Sequence, residues 1–330
     1  MKNINNKFAF VLTPGYISGL TQSDGSFFCT ISLSSKHLFG LQFRPKFSIT
    51  ADLDSKHVLD SIQSYFGCGN VSINEKKHTA EFVVSSLKDL QNIIIPHFQS
   101  CPVFCAKLHA FRLFVLIVDA LFNKEKRTIE GRRELLSMAL SMNQTTNRKE
   151  DRIEVLCQSL SVSDSKDLVL IPNTCVDIQT PLSPAFISGI VDGDGSFFVY
   201  FLDSGEIKVG FTIVTDKASM AMLQDIQAHF KGIGSVRVGS KNELVYTVTG
   251  INQIVDVLIP FMDTNPIISE RALHFDKFRQ VSLLMKENNP LTLANKLEIV
   301  DLCYDMNKEG KRRTMSKSQY IELLKQKHNK

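Results

Sequence analysis

Two aspartates recur in matching surroundings, 170 residues apart. Asp24 stands near the end of Ile17-Ser-Gly-Leu-Thr-Gln-Ser-Asp-Gly25, and Asp194 near the end of Ile187-Ser-Gly-Ile-Val-Asp-Gly-Asp-Gly195. Small residues recur on one helical face of each segment, at Ser18 and Gly19 and at Ser188 and Gly189. If the two helices packed there, Asp24 and Asp194 would converge. Two carboxylates in one solvent-open spot repel, unless hard divalent cations sit between them. Such metals beside a phosphate can activate water and stabilise the leaving oxygen of an in-line displacement. A lone Asp-Gly at a helix end is ordinary turn chemistry. Two copies in register, each followed by Ser-Phe-Phe, are not explained that way.

The duplication extends well past these segments. From Pro14 to Phe28 and Pro184 to Phe198, nine of fifteen residues are identical. Further matches at an offset of 164 pair Phe47 with Phe211, Phe66 with Phe230 and Pro96 with Pro260. Two halves therefore share one topology, and a long period present only twice argues for a domain pair, not a solenoid. Segments 14–24 and 184–194 read as helices, with proline early and glycine at the end. Two alternating strands follow each, then a helix (54–66; 217–230), a shorter hairpin (70–84; 234–249) and further helices. Leu41, Phe43, Phe47 and Ile49 alternate with Gln42, Arg44, Lys46, Ser48 and Thr50, so one sheet face is buried and the other is wet and basic. The order αββαββα makes an α+β fold with one antiparallel sheet per half. The expected division is 1–143, a linker over 144–183 rich in Ser and Asp, and 184–330 with a basic tail.

Composition sets limits on function. With 43% apolar and 22% charged residues, the 330-residue chain is an ordinary globular one. No apolar run approaches the roughly 20 residues of a membrane helix, so no membrane role is expected. The seven cysteines are odd in number and form no C-x2-C pair, which argues against a disulfide framework or zinc site. No nucleotide-binding loop, Ser/His/Asp set or metal-binding His cluster stands out. Net charge is only +4, but residues 308–330 carry +6 and the rest −2, as suits a polyanion partner.

The segments ISGLTQSDGSF and ISGIVDGDGSF resemble the two signatures of a double-motif LAGLIDADG homing endonuclease, and the order of elements in both halves fits. That resemblance implies a monomer of two pseudo-twofold-related halves, each laying its sheet in the major groove of double-stranded DNA, with Ser18, Gly19, Ser188 and Gly189 at the motif-helix interface. It implies metal binding at Asp24 and Asp194, with the adjoining Gly25 and Gly195. The first acid position holds Gln22 in one copy and Asp192 in the other. Basic residues near the scissile phosphates fall on Lys107 and Arg271, the latter departing from lysine. Polar water-organising positions fall on Ser48 and Thr212. The implied cofactor is Mg²⁺, with Mn²⁺ able to substitute and Ca²⁺ binding without supporting cleavage. The implied setting is an intron-encoded product of an organelle, the mitochondrion before the chloroplast; the N-terminus shows no transit pattern.

The wet strand faces carry what groove reading needs, donors and acceptors on a two-stranded ribbon. In the first half these are Ser34, Lys36, Gln42, Arg44, Lys46 and Ser48, with Asn70, Ser72, Asn74 and Lys76 from the shorter hairpin. In the second they are Tyr200, Asp203, Glu206, Lys208, Thr212, Ser235, Arg237, Lys241 and Asn242. The halves differ at most of these positions, so the target is long and imperfectly palindromic. Lys311, Arg312, Arg313 and Lys317 are expected to contact phosphates without reading sequence. Two other readings use the same fold: a maturase acting on intron RNA, and a DNA-binding protein that no longer cuts.

Overall fold

The computed structural model describes residues 12–143, 150–161, 168–173, 181–306 and 313–328. Two compact units divide at Thr180 and Pro181. In the first, α1 (Pro14–Asp24) has Pro14 in its first turn, and Thr13 Oγ1 accepts the amide of Tyr16 at 3.3 Å. Both features satisfy or remove donors that a helix start leaves unpaired. The helix passes straight into β1 (Gly25–Leu33), because Gly25 is extended at φ −88° while its N–H still reaches Thr21 O. A Cβ at Gly25 would lie 2.7 Å from that oxygen, so the turn needs glycine.

β1, β2 (Leu41–Asp52), β3 (Asn70–Asn74) and β4 (Thr79–Val84) form an antiparallel sheet in the order β1-β2-β4-β3. α2 (Lys56–Phe66) joins its two hairpins. A helical stretch over 87–100 contains one π-helical turn, Leu90–Ile94, just before Pro96. Proline cannot donate to Asn92 and would collide with its carbonyl, and the wider turn relieves both problems. Two helices, α3 (Cys105–Phe122) and α4 (Ile129–Ser141), follow. Phe27 stacks on Phe47 at 5.1 Å and meets Phe98, Phe111 and Phe114, so the first phenylalanine of Ser-Phe-Phe centres the core.

The second unit repeats this order. α6 (Pro184–Asp194) is capped by Ser183 and runs into β5 (Gly195–Phe201). β5, β6 (Ile207–Thr215), β7 (Ser235–Val238) and β8 (Leu244–Val248) take the order β5-β6-β8-β7. α7 (Met220–His229) joins the hairpins, and a second π-helical turn, Ile254–Leu258, precedes Pro260. α8 (Arg271–Glu287) and α9 (Leu293–Cys303) close the repeat. Phe197, Phe211, Phe275 and Phe278 form the equivalent core. The α+β architecture with one four-stranded antiparallel sheet in each half is the one the alternation anticipates.

Two segments depart from expectation. The stretch read as a linker holds a helix, α5 (Glu150–Gln158), and buries Leu156, Cys157 and Leu160. Arg133 donates to Leu160 O at 2.9 Å, Ser137 donates to Val169 O, and the amide of Ile171 donates to Ser141 Oγ. The described parts of that stretch up to residue 173 are thus bolted to α4 and belong to the first unit. At the other end, the basic tail contains α10 (Lys317–His328), whose Tyr320 and Leu324 pack with Val300 and Tyr304.

Candidate active site and nucleic-acid interface

Asp24 and Asp194 are each the last residue of their motif helix, immediately before the strand that opens the sheet. Asp24 is exposed and Asp194 half-buried. Each acid therefore stands where its motif helix gives way to the first strand of its sheet. The side chains that hold this corner are repeated in both halves, although their identities differ.

Ser18 Oγ donates to Cys101 O at 2.7 Å, and Ser188 Oγ donates to Asn265 O at 3.0 Å and Pro266 O at 2.8 Å. These hydroxyls, expected at a helix-helix interface, are spent on a loop of their own unit. Gln22 Oε1 accepts the amide of Phe104 at 2.8 Å. Asp192, 3% exposed, accepts the amides of Ile268 at 2.8 Å and Ser269 at 3.0 Å as well as the Ser269 hydroxyl. The first acid position of the motif is thus an anchor for the loop that leads into the following long helix. The sequence signal for this shared task is the 164-residue relation of Phe104 to Ile268.

That loop delivers the basic residues. Lys107 Nζ donates to Gly25 O, and Arg271 Nη1 donates to Gly195 O. Arg271 also donates through Nε to Asp192 O at 2.9 Å and through Nη2 to Gly193 O at 2.7 Å. Both cations thus lie on the carbonyl-rich end of a motif helix, where positive charge is favoured. The two glycine carbonyls expected to help bind metal already accept these cations. Each still has a second lone pair.

A carboxylate with a neighbouring carbonyl is a hard oxygen donor set, suited to Mg²⁺ or Ca²⁺. No group of three or more His, Cys, Asp or Glu side chains able to hold a metal occurs among the described residues. The residues of one corner therefore fit a divalent cation whose remaining ligands come from elsewhere.

On the first sheet, the register pairs Ser26 with Ser48, Phe28 with Lys46, Thr30 with Arg44 and Ser32 with Gln42. All face away from the core, and Arg44 donates to Gln42 Oε1 at 2.5 Å. Asn70, Ser72 and Asn74 share this face and are exposed. Ser34, Lys36 and Lys76 lie in the connecting turns, not on strands. Ser48 departs from the expected wet position: it is 5% exposed. It is one rung from the motif corner, and Thr212 holds the same rung opposite Ser196, half-buried.

On the second sheet, Tyr200, Lys208, Ser235 and Arg237 are exposed on the solvent face. Asp203, Glu206, Lys241 and Asn242 are exposed in its turns. Lys208 lies 3.5 Å from Glu206. The tail reading changes most. Arg313 lies over the rings of Phe201 at 4.4 Å and Tyr304 at 4.7 Å and donates to Tyr304 O. Lys317 pairs with Asp301 at 3.0 Å. Arg313 is therefore a packing wedge, because two aromatic faces and a carbonyl compensate its desolvation. Lys311 and Arg312 lie outside the described residues.

Comparison with known proteins adds three findings. The family model described as LAGLIDADG endonuclease matches residues 17–118 and 187–282. The chain is 26% identical over 297 residues to a protein named "Probable intron-encoded endonuclease 2" of Neurospora crassa, covering 88% of this chain. It is 24% identical over 295 residues to "Probable intron-encoded endonuclease 3" of the same organism, covering 86% of this chain. The chain spans 64% and 52% of the lengths of those two relatives. Among solved structures, the LAGLIDADG meganuclease I-CpaMI bound to uncleaved DNA aligns with a TM-score of 0.79 at 26% identity, covering 90% of this chain and 100% of that one.

Proposed function

The chain belongs to the LAGLIDADG endonuclease family, and we propose that it is a site-specific homing endonuclease that makes a double-strand break in a long, pseudo-palindromic DNA target by metal-dependent phosphodiester hydrolysis. The observation that carries this reading is the repeated corner: an acid ending each motif helix, with a cation from the following long helix on the adjoining carbonyl. A protein that only bound DNA would need the sheets and not these corners. The names of the relatives support an intron-encoded product, and we place its action in the mitochondrion.

In this reading each half serves one strand and the protein acts as a monomer. Asp24 and Asp194 would hold Mg²⁺, or Mn²⁺ in its place, through their carboxylate oxygens. Such a cation, when bound, would supply water activation and charge stabilisation at the phosphate. Lys107 and Arg271 stand beside the acids and stabilise the negative charge that builds on the phosphoryl oxygens. Ser48 and Thr212, one rung along the sheet, orient water by hydrogen bonding. Arg44, Lys46, Lys208 and Arg237 hold the DNA and set register along the groove.

The test is cleavage of a pooled library of intron insertion sites by the full chain. Cutting in Mg²⁺ that is lost in Asp24→Asn and Asp194→Asn, with DNA binding retained in both, supports the reading. Binding with no cutting in Mg²⁺ or Mn²⁺ overturns it.

A further inference from the structure

The two sheets differ where they would meet a groove. In the first, the cross-strand partner of Phe28 is Lys46; in the second, the partner of Phe198 is Gly210. A Cβ at Gly210 would lie 2.3 Å from Cζ and 2.4 Å from Cε2 of Phe198. The phenylalanine ring therefore lies flat on bare backbone, on the face of the sheet opposite the core. Tyr200 extends it, with the ring centroids 4.6 Å apart. Tyr200 is 55% exposed. An apolar floor of this kind on a sheet's solvent face marks a contact surface. Lys208, the cross-strand partner of Tyr200, is exposed beside the rings, and Arg237 is exposed further along the same face, so the sheet that carries the rings also carries cations suited to a polyanion.

A duplex offers such a floor one apolar group in the major groove, the C5-methyl of thymine. We propose that Phe198 and Tyr200, seated by Gly210, read thymine methyl groups in the half-site that the second sheet contacts. At the matching rungs the first sheet pairs Phe28 with Lys46 and Thr30 with Arg44, so it has a lysine where the second has bare Gly210 and a threonine where the second has the Tyr200 ring, and only the second sheet offers a paired-ring apolar surface. This inference rests on the endonuclease reading and says which feature of the DNA is chosen.

The experiment uses a target that the wild-type chain cuts. Each thymidine of that half-site is replaced, one at a time, by deoxyuridine. The exchange removes only the methyl and leaves base pairing and the hydrogen-bonding pattern intact. Burial of one carbon group is worth about 0.8 kcal/mol, so binding at fixed salt should weaken about fourfold at one or two positions. That sensitivity should vanish in Phe198→Ser and in Tyr200→Ser and persist in Lys208→Gln. Gly210→Ala, which keeps both rings but displaces the first, should also abolish it. Because Tyr200 is exposed, its variant keeps the test informative if Phe198→Ser fails to fold. Indifference of the wild type to every deoxyuridine, or penalties unchanged in both ring variants, overturns the inference and leaves the endonuclease reading intact. Failure of the wild type to cut any DNA defeats the endonuclease reading itself.

Discussion

The side-chain oxygen of Gln22 accepts the backbone amide of Phe104 at 2.8 Å. In the second half Asp192 does the same for Ile268 and adds Ser269. An amide and a carboxylate thus perform one task, anchoring the loop that aims Lys107 or Arg271. Asp192→Ala would leave two backbone N–H groups without an acceptor, at a cost of about 2–4 kcal/mol. Asp192→Asn keeps an acceptor and should cost less than half of that. Urea unfolding should rank them so, and Asp192→Asn should still cut DNA where Asp194→Asn does not. Equal loss of cutting in the two Asn variants would make Asp192 a metal ligand instead.

Arg271 donates to three carbonyls, Asp192 O, Gly193 O and Gly195 O, whereas Lys107 is seen on Gly25 O. Charge-assisted hydrogen bonds are worth roughly 1.5–3 kcal/mol each when a partner is lost. Three such bonds put the cost of Arg271→Met at about 4–5 kcal/mol, and the bond to Gly25 O alone puts Lys107→Met at about 1.5 kcal/mol or more. Arg271→Lys should recover part of the stability, since one ammonium cannot reproduce the planar fork. Nicking assays on supercoiled target should show each variant slowing the cut of one strand first. Loss of both strands at equal rates in Lys107→Met would break the assignment of one corner to each strand.

Much of this was legible because the chain states it twice. The helix limits at Pro14 and Asp24 follow from proline, glycine and the repeat, and the core phenylalanines follow from alternation. Part of what escaped had no second copy. α5 begins Glu-Asp-Arg in a polar stretch, and the chain after it is tied down by Arg133 and Ser137 of α4, which bond Leu160 O and Val169 O. Arg313 reads as a tail charge until Phe201 and Tyr304, distant in sequence, close around it. Ser48 obeys the two-residue period yet is covered, because period tells the face and not what lies on it. The role of Gln22 is obscured in sequence because its partner, the Phe104 amide, lies 82 residues away and either an amide or a carboxylate can accept it.

The helix-to-strand corner tolerates no side chain. A Cβ at Gly195 would lie 2.4 Å from Val191 O, and at Gly25 2.5 Å from the Thr21 methyl. Gly195→Ala must open the corner and move Asp194 with it. The expected loss is about 2–3 kcal/mol by thermal or urea unfolding, as for other overpacked sites. Cleavage should fall further than stability explains, since an acid displaced by about 1 Å loses its place on the phosphate. A Gly195→Ala chain with wild-type cutting would show that the corner does not fix the acid.

His97 gives the first half a pH limit of its own. Burial pushes its pKa down from 6.5 to about 4. Its ring meets Tyr65, Phe66 and Phe98, and Nε2 lies 3.4 Å from Ser18 Oγ on the motif helix. The unfolded chain takes up a proton near pH 6.5, and the folded chain does so only near pH 4. Between those values the unfolded state binds more protons, so stability rises with pH. The His97 contribution is full above about pH 6.5 and is lost progressively as pH falls toward 4, with a slope approaching about 1.4 kcal/mol per pH unit. Carboxylates add their own slope below pH 5, so the informative quantity is a difference. His97→Gln keeps a polar group near Ser18 and removes the titration. Unfolding free energies measured from pH 7 to pH 4.5 should fall more steeply in the wild type than in His97→Gln, the gap closing as pH drops. Parallel curves would mean that the imidazole opens to solvent and protonates without unfolding the helix it packs on.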